Sequence, residues 1–193
     1  MTSLSRPVQR VTEHRYDAIA ISLHWLIAMA LPALIVMGLY MTALPFSPQR
    51  LKLYNWHKWA GMLALAVMLL RLGWRAAHRP PSALPMPAWQ ASAAHLAHAG
   101  LYLLAIAAPA AGYLYSCAAG FPVVLFGRWP LPDPLGASQE LAAILKPLHH
   151  WLAYALGMLA ALHVTAVAKH EWLDRERILA RMGAGAKNTG SIS

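Results

Sequence analysis

The chain has 193 residues, of which 59% are apolar and only 12% charged, against roughly 25% charged in an ordinary soluble domain. Mean hydropathy is +0.44, which excludes a disordered chain and leaves too little polar side chain to cover a soluble globule. The class that fits is an integral membrane protein of one domain. The net charge is +9, from 16 Lys and Arg against 7 Asp and Glu. In a soluble protein that charge would suggest nucleic acid. Here the basic residues sit between apolar runs, as they do in the loops of membrane proteins, so no nucleic-acid partner is expected. A single cysteine, Cys117, excludes an internal disulfide, a CxxC motif and covalent haem attachment through CxxCH. It reads as a small buried residue.

Residues 18–49 contain no Asp, Glu, Lys or Arg. The stretch is too long for the apolar region of a signal peptide, about 7–15 residues, and predicts an uncleaved first helix over 18–44. The second span is strictly apolar only over 59–70 but extends both ways through basic residues able to snorkel, predicting a helix over 49–77. Pro80, Pro81, Pro85 and Pro87 end it, because proline lacks the amide a helix needs. The third helix is expected over 91–119, with Pro109 inside. A proline-rich loop, 120–146, follows, its apolar 123–126 segment dipping into the membrane interface. The fourth helix is expected over 147–171. Residues 1–182 then form one four-helix transmembrane domain, and the Gly/Ala/Ser-rich residues 183–193 a flexible tail.

Orientation follows from counting Lys and Arg near the span ends. Arg6, Arg10, Arg15, Arg71, Arg75, Arg79, Lys169, Arg175, Arg177, Arg181 and Lys187 fall on one side, and Arg50, Lys52, Lys58, Arg128 and Lys146 on the other. Both termini are therefore expected in the cytoplasm, in a multi-pass protein of a bacterial inner membrane. Trp56, Trp59, Trp129, Trp151 and Trp172 lie near span ends, as interface anchors do.

Ten histidines are many for such a chain, and ionisable groups within spans are costly and usually functional. His149 and His163 are 14 residues apart, close to four helical turns, so they share nearly one face about 21 Å apart along the axis. His24 in the first helix lies at the depth of His163. His57 in the second lies at the depth of His149. Two histidine pairs at two depths result. Neutral imidazole is a ligand for b-type haem or a transition metal, and an apolar four-helix bundle buries a flat cofactor well. Zinc fits less well, since two ligands per depth are too few for a closed tetrahedral site. A haem-free metal or proton transporter using these histidines is the alternative of another class.

The ordered motifs Ser22-Leu-His-Trp25, Asn55-Trp-His-Lys-Trp-Ala-Gly61, Leu70-Arg-Leu-Gly-Trp-Arg75, His95-Leu-Ala-His-Ala-Gly-Leu-Tyr102, Leu148-His149 with its step to Leu162-His163, Lys169-His170 and Leu179-Ala-Arg-Met182 resemble the bacterial cytochrome b561 family over about residues 16–182. The resemblance implies an all-α, four-helix membrane cytochrome with two b haems. It implies axial ligation of a cytoplasmic-side haem by His24 and His163, and of a periplasmic-side haem by His57 and His149. It further implies a quinone site at one membrane face. In the family's superoxide-oxidising members, superoxide gives its electron to ubiquinone through the haems. The wider superfamily also holds haem b electron-transfer subunits of hydrogenases and dehydrogenases, so a dehydrogenase partner stays open.

Other residues then acquire candidate roles. Arg71 and Arg75 share a helix face and suit carboxylates, so they are haem-propionate candidates beside the positive-inside reading; His98 and Lys58 join them. Lys169 and His170, with Arg75, are quinone candidates, the alternative for the first two being a helix C-cap. Arg50, Lys52, Lys58 and Lys146 form a cationic mouth that would steer superoxide, or pair with lipid headgroups and propionates. Lipid, quinone and a small donor are the expected partners.

Overall fold

The computed structural model describes residues 15–78, 81, 86–175 and 178–183. Arg6, Arg10, Arg79, Arg177 and Lys187 of the charge count, and residues 184–193 of the expected tail, lie outside the described residues. Helix α1 spans Ala18–Ala43, α2 Pro48–Ala77, α3 Ala88–Ala118 and α4 Gln139–Ala168. Between α3 and α4 lies a short hairpin of β1, Val124–Leu125, and β2, Trp129–Pro130. A π-helical turn, Lys169–Leu173, continues α4, and a last short helix, α5, covers Ile178–Met182. All four long helices are apolar and long enough to cross a membrane.

Each start has a local chemical cause. The Asp17 carboxylate accepts from the Ala20 amide at 2.8 Å, capping α1, and the Ser47 hydroxyl accepts from Arg50 at 3.2 Å, capping α2. Such side chains satisfy amides that have no partner inside the helix. Pro48 follows at a position where its missing amide costs nothing. Helix α3 begins directly after Pro87, three residues before the expected 91.

The expected start of the fourth helix at 147 is the larger correction. Ser138 caps α4 by accepting from Leu141 at 3.3 Å, and Glu140 sits in the first turn, where the helix dipole favours an anion. The residues after it are good helix formers. Pro147 therefore lies inside α4, where it removes one amide without stopping the helix. Lys146 belongs to this helix rather than to a loop.

Chain neighbours pack on one another, α1 on α2, α2 on α3 and α3 on α4, and α4 closes back on α1. Both described chain ends meet: the Tyr16 amide donates to the Arg181 carbonyl, and the Trp25 indole to that of Met182 at 2.8 Å. This is called the terminal end below, and the opposite end the hairpin end. Ile27, Met68, Ala105, Ala108 and Leu156 form a buried cluster in the core between the helices. Leu26, Met29, Leu96, Leu103, Met158 and Leu162 face outward, the surface a lipid phase requires and water would penalise.

Candidate functional site

Each long helix places two notable residues 14 positions apart: His24 and Gly38 on α1, His57 and Arg71 on α2, His98 and Gly112 on α3, His149 and His163 on α4. Fourteen residues turn a helix to within about 40° of its starting face and advance it about 21 Å. Successive helices run in opposite directions, so the eight residues form two layers on either side of the core.

In the hairpin-end layer the rings of His57 and His149 face each other, with centres 6.2 Å apart and planes 80° apart. Two imidazoles binding one metal ion at about 2 Å each set their ring centres about 6 Å apart. The Nδ1 of His149 lies 2.8 Å from the Ala108 carbonyl. A carbonyl only accepts, so Nδ1 carries the proton and Nε2 keeps its lone pair for a metal. The corresponding carbonyl on α1 is that of Leu34, although the buried Nδ1 of His57 makes no hydrogen bond of ordinary geometry.

Both rings rest against glycines. A Cβ on Gly112 would meet Cε1 and Nδ1 of His149 at 2.9 Å, and one on Gly38 would meet Cε1 of His57 at 3.3 Å. Leu34 and Ala108 each stand one turn before the glycine, so the two rings have matching seats. The histidine pattern did not single out Gly38 and Gly112. The signal was present in the 14-residue step from His24 and from His98.

The terminal-end layer is built differently. The rings of His98 and His163 are 5.4 Å apart at 62°. His24 lies within electrostatic reach of both. The ring of His24 packs edge-on against Trp25. The fourth member is Arg71, near both His24 and His163. Its guanidinium donates to the Ala20 carbonyl at 3.0 Å and lies over the Tyr102 ring, whose buried hydroxyl has no hydrogen-bond partner among the described residues. His98 thus stands beside His163, where the sequence pairing put His24 alone. Among the described residues, no group of three or more His, Cys, Asp or Glu converges tightly enough to hold a bare metal ion.

Residues 15–185 match the family described as prokaryotic cytochrome b561. The chain belongs to that family. It is 34% identical over 176 residues to "Cytochrome b561 homolog 2" of Escherichia coli K12, covering 89% of this chain and 92% of the relative. It is 28% identical over 176 residues to "Cytochrome b561 homolog 1" of the same organism, covering 88% and 97%. A protein of Yersinia pestis named "Probable superoxide oxidase CybB" is 27% identical over 173 residues, covering 87% and 95%. Cytochromes b561 are four-helix membrane bundles that bind b-type haem and transfer electrons. The opposed imidazoles, the proton fixed on Nδ1 of His149 and the two glycine gaps all suit such a group.

The remaining candidates of this cytochrome fall into place around the two layers. Arg75 lies within electrostatic reach of His98, as Arg71 does. At the hairpin end, the Lys58 ammonium donates to the Phe121 carbonyl at 3.2 Å. Arg50 donates to the Leu44 carbonyl at 3.0 Å and to the Tyr54 hydroxyl at 3.3 Å, so it holds the corner between α1 and α2. Lys52 and Lys146 are exposed, and Lys146 lines a cavity of about 340 Å3 with Tyr115, Phe121 and Gln139. At the terminal end, Asp174 binds Lys169 at 2.7 Å and His170 at 3.0 Å. The Lys169 ammonium holds the Asp174 carboxyl below the ordinary carboxylate range. Lys169 and His170, two of the three quinone candidates, are thereby tied to one carboxylate at the helix exit.

Proposed function

We propose that this chain is a dihaem cytochrome b of the bacterial inner membrane, termini cytoplasmic, that passes electrons from periplasmic superoxide to membrane ubiquinone. The observation that carries this reading is the two layers of imidazoles, one at each end of the bundle. His57 and His149 would hold the periplasmic haem. His163 with His24 would hold the cytoplasmic one, with His98 at the ring of His163. Bound haem supplies one-electron redox chemistry.

The chain's own side chains do the rest. The Ala108 carbonyl orients His149, and Gly38 and Gly112 leave the rings their space. Arg71 and Arg75 offer paired positive charge for propionates at the cytoplasmic layer. Lys52, Lys146 and Arg128 present cations at the periplasmic end, where they raise the encounter rate of an anionic donor. In the overall balance two superoxide anions each lose one electron to become dioxygen, and one ubiquinone gains two electrons and two protons. The name of the Yersinia pestis relative supports superoxide as the donor.

Haem content per chain, by pyridine haemochromogen, together with superoxide-driven ubiquinone reduction by the purified chain, tests this reading. Two low-spin b haems and ubiquinol formation are expected. Two haems without superoxide-dependent reduction would overturn the donor assignment in favour of an electron-transfer subunit serving a dehydrogenase. Well-folded protein that binds no haem would overturn the dihaem reading itself.

A further inference from the structure

The segment between α3 and α4 has the construction of a lid. It begins at Gly120, φ +79°, and ends at Gly136, φ +64°, both in the left-handed region that glycine adopts without strain. The two ends meet: a Cβ on Gly120 would lie 3.8 Å from that of Ala137. Compact surface segments with adjoining ends are often functional. Its own hairpin pairs Val124 with Pro130 and Leu125 with Trp129, and the Leu131 amide donates to the Val123 carbonyl at 2.9 Å. The segment is therefore internally braced between two permissive joints.

A buried plug and single hydrogen bonds hold it to the bundle. Val123, 1% exposed, is the plug, and beneath the segment lies Cys117, 0% exposed. Two latches come from α2: Lys58 donates to the Phe121 carbonyl at 3.2 Å and the Trp59 indole to the Val124 carbonyl at 2.7 Å. These are the two residues directly after His57. From α3, the Tyr113 hydroxyl donates to the Pro132 carbonyl and the Ser116 hydroxyl to that of Phe121. The latches are single hydrogen bonds to loop carbonyls, each worth little net free energy. Phe121, Phe126 and Trp129 remain exposed on the segment.

We infer that residues 120–136 form a hinged lid over the His57/His149 end, and that its release from Trp59 and Tyr113 admits aqueous reactants to that centre. The access role rests on the proposed function; the hinge does not. Loss of one latch raises the open population by about three- to tenfold. Cys117, the only cysteine of the chain, is a built-in reporter, because a buried thiol reacts only when its cover opens.

The experiment measures labelling of Cys117 by a small membrane-impermeant thiol reagent in the full chain, for wild type, Trp59→Phe and Ser116→Ala; Tyr113 is left intact because its hydroxyl also bonds the Cys117 thiol, so its loss would alter the reporter itself. In parallel, haem reduction by dithionite is followed by stopped flow, and oxidised spectra are compared. Trp59→Phe keeps an aromatic ring against Phe126, 5.6 Å away in the native chain, while removing the donor. Labelling about three- to tenfold faster, haem reduction faster in proportion and an unchanged spectrum are expected. Labelling at the wild-type rate in both variants would overturn the lid. Faster labelling with unchanged reduction would overturn its control of access. If Trp59→Phe fails to fold, Ser116→Ala, on another helix, decides alone. If the wild type carries no haem, the proposed function fails, and labelling still shows whether the lid opens.

Discussion

Gly112 and His149 are the tightest pair in the molecule's candidate machinery. A Cβ at 112 would stand 2.9 Å from two ring atoms, a distance real Cβ atoms do not keep, so Gly112→Ala must push the ring off its seat on the Ala108 carbonyl. Helix propensity alone would favour the alanine by about 1 kcal/mol. The expected outcome is opposite to that trend: about half the haem per chain is lost, with the remaining spectrum that of one centre. The corresponding gap at Gly38 is wider, 3.3 Å, and Gly38→Ala should cost less occupancy. Haem content against protein, read on both variants, checks the order. His57→Ala and His149→Ala should each remove the same single haem, and loss of both haems in either would show that the two layers are not independent. The sequence placed the four ligand candidates by spacing, but the gaps that seat two of them were invisible until opposed helices were set side by side. A glycine has no chemistry of its own to announce a role.

Helix ends make a second kind of prediction. Asp17 caps α1 through the Ala20 amide and also accepts from the Trp74 indole at 3.0 Å, tying the start of α1 to the last turns of α2. Asp17→Ala should cost about 1 kcal/mol, seen as a lower midpoint of thermal unfolding in detergent; Asp17→Asn, which keeps an acceptor, should cost less. The Ala20 amide, chiefly, holds this carboxyl below its ordinary 3.8, against the opposing effect of burial. The folded state therefore prefers the ionised form. Its stabilisation is complete above the unfolded-chain value and is lost as pH falls through the lower folded value. Wild type and Asp17→Ala should differ near neutral pH and converge as pH falls through the lowered folded value; a difference that persists in acid would assign the effect to packing. The start of α4 illustrates the limit of reading elements locally. Pro147 and the prolines before it suggest a loop, yet the Ser138 cap and Glu140 begin the helix upstream. Tertiary packing against α3 then carries it across the proline.

For the bundle as a whole, charge distribution is the testable property. Arg50 and Lys58 are engaged by carbonyls, so steering at the hairpin end falls to Lys52, Lys146 and Arg128. Raising ionic strength from about 0.05 to about 0.5 M should lower the superoxide-driven rate several-fold, because the screening length drops well below 10 Å. A flat profile would remove steering from the account. Lys52→Gln with Lys146→Gln should lower the low-salt rate and shrink that salt dependence, leaving haem spectra as they are.

Apolar content and hydropathic runs specify four membrane helices, because a bilayer accepts few structures that satisfy every backbone amide and carbonyl internally. The ordered histidine motifs likewise mark the family, and the 14-residue step on α4 marks two depths, since helical periodicity is a property of one chain segment. The tertiary structure alone decided what stands opposite each side chain. It seated the His57 and His149 rings against glycines, set His98 on His163, and folded the 120–136 segment over Cys117. Those are contacts between segments far apart in the chain, and they depend on helix packing and loop closure, which no local pattern of residues encodes.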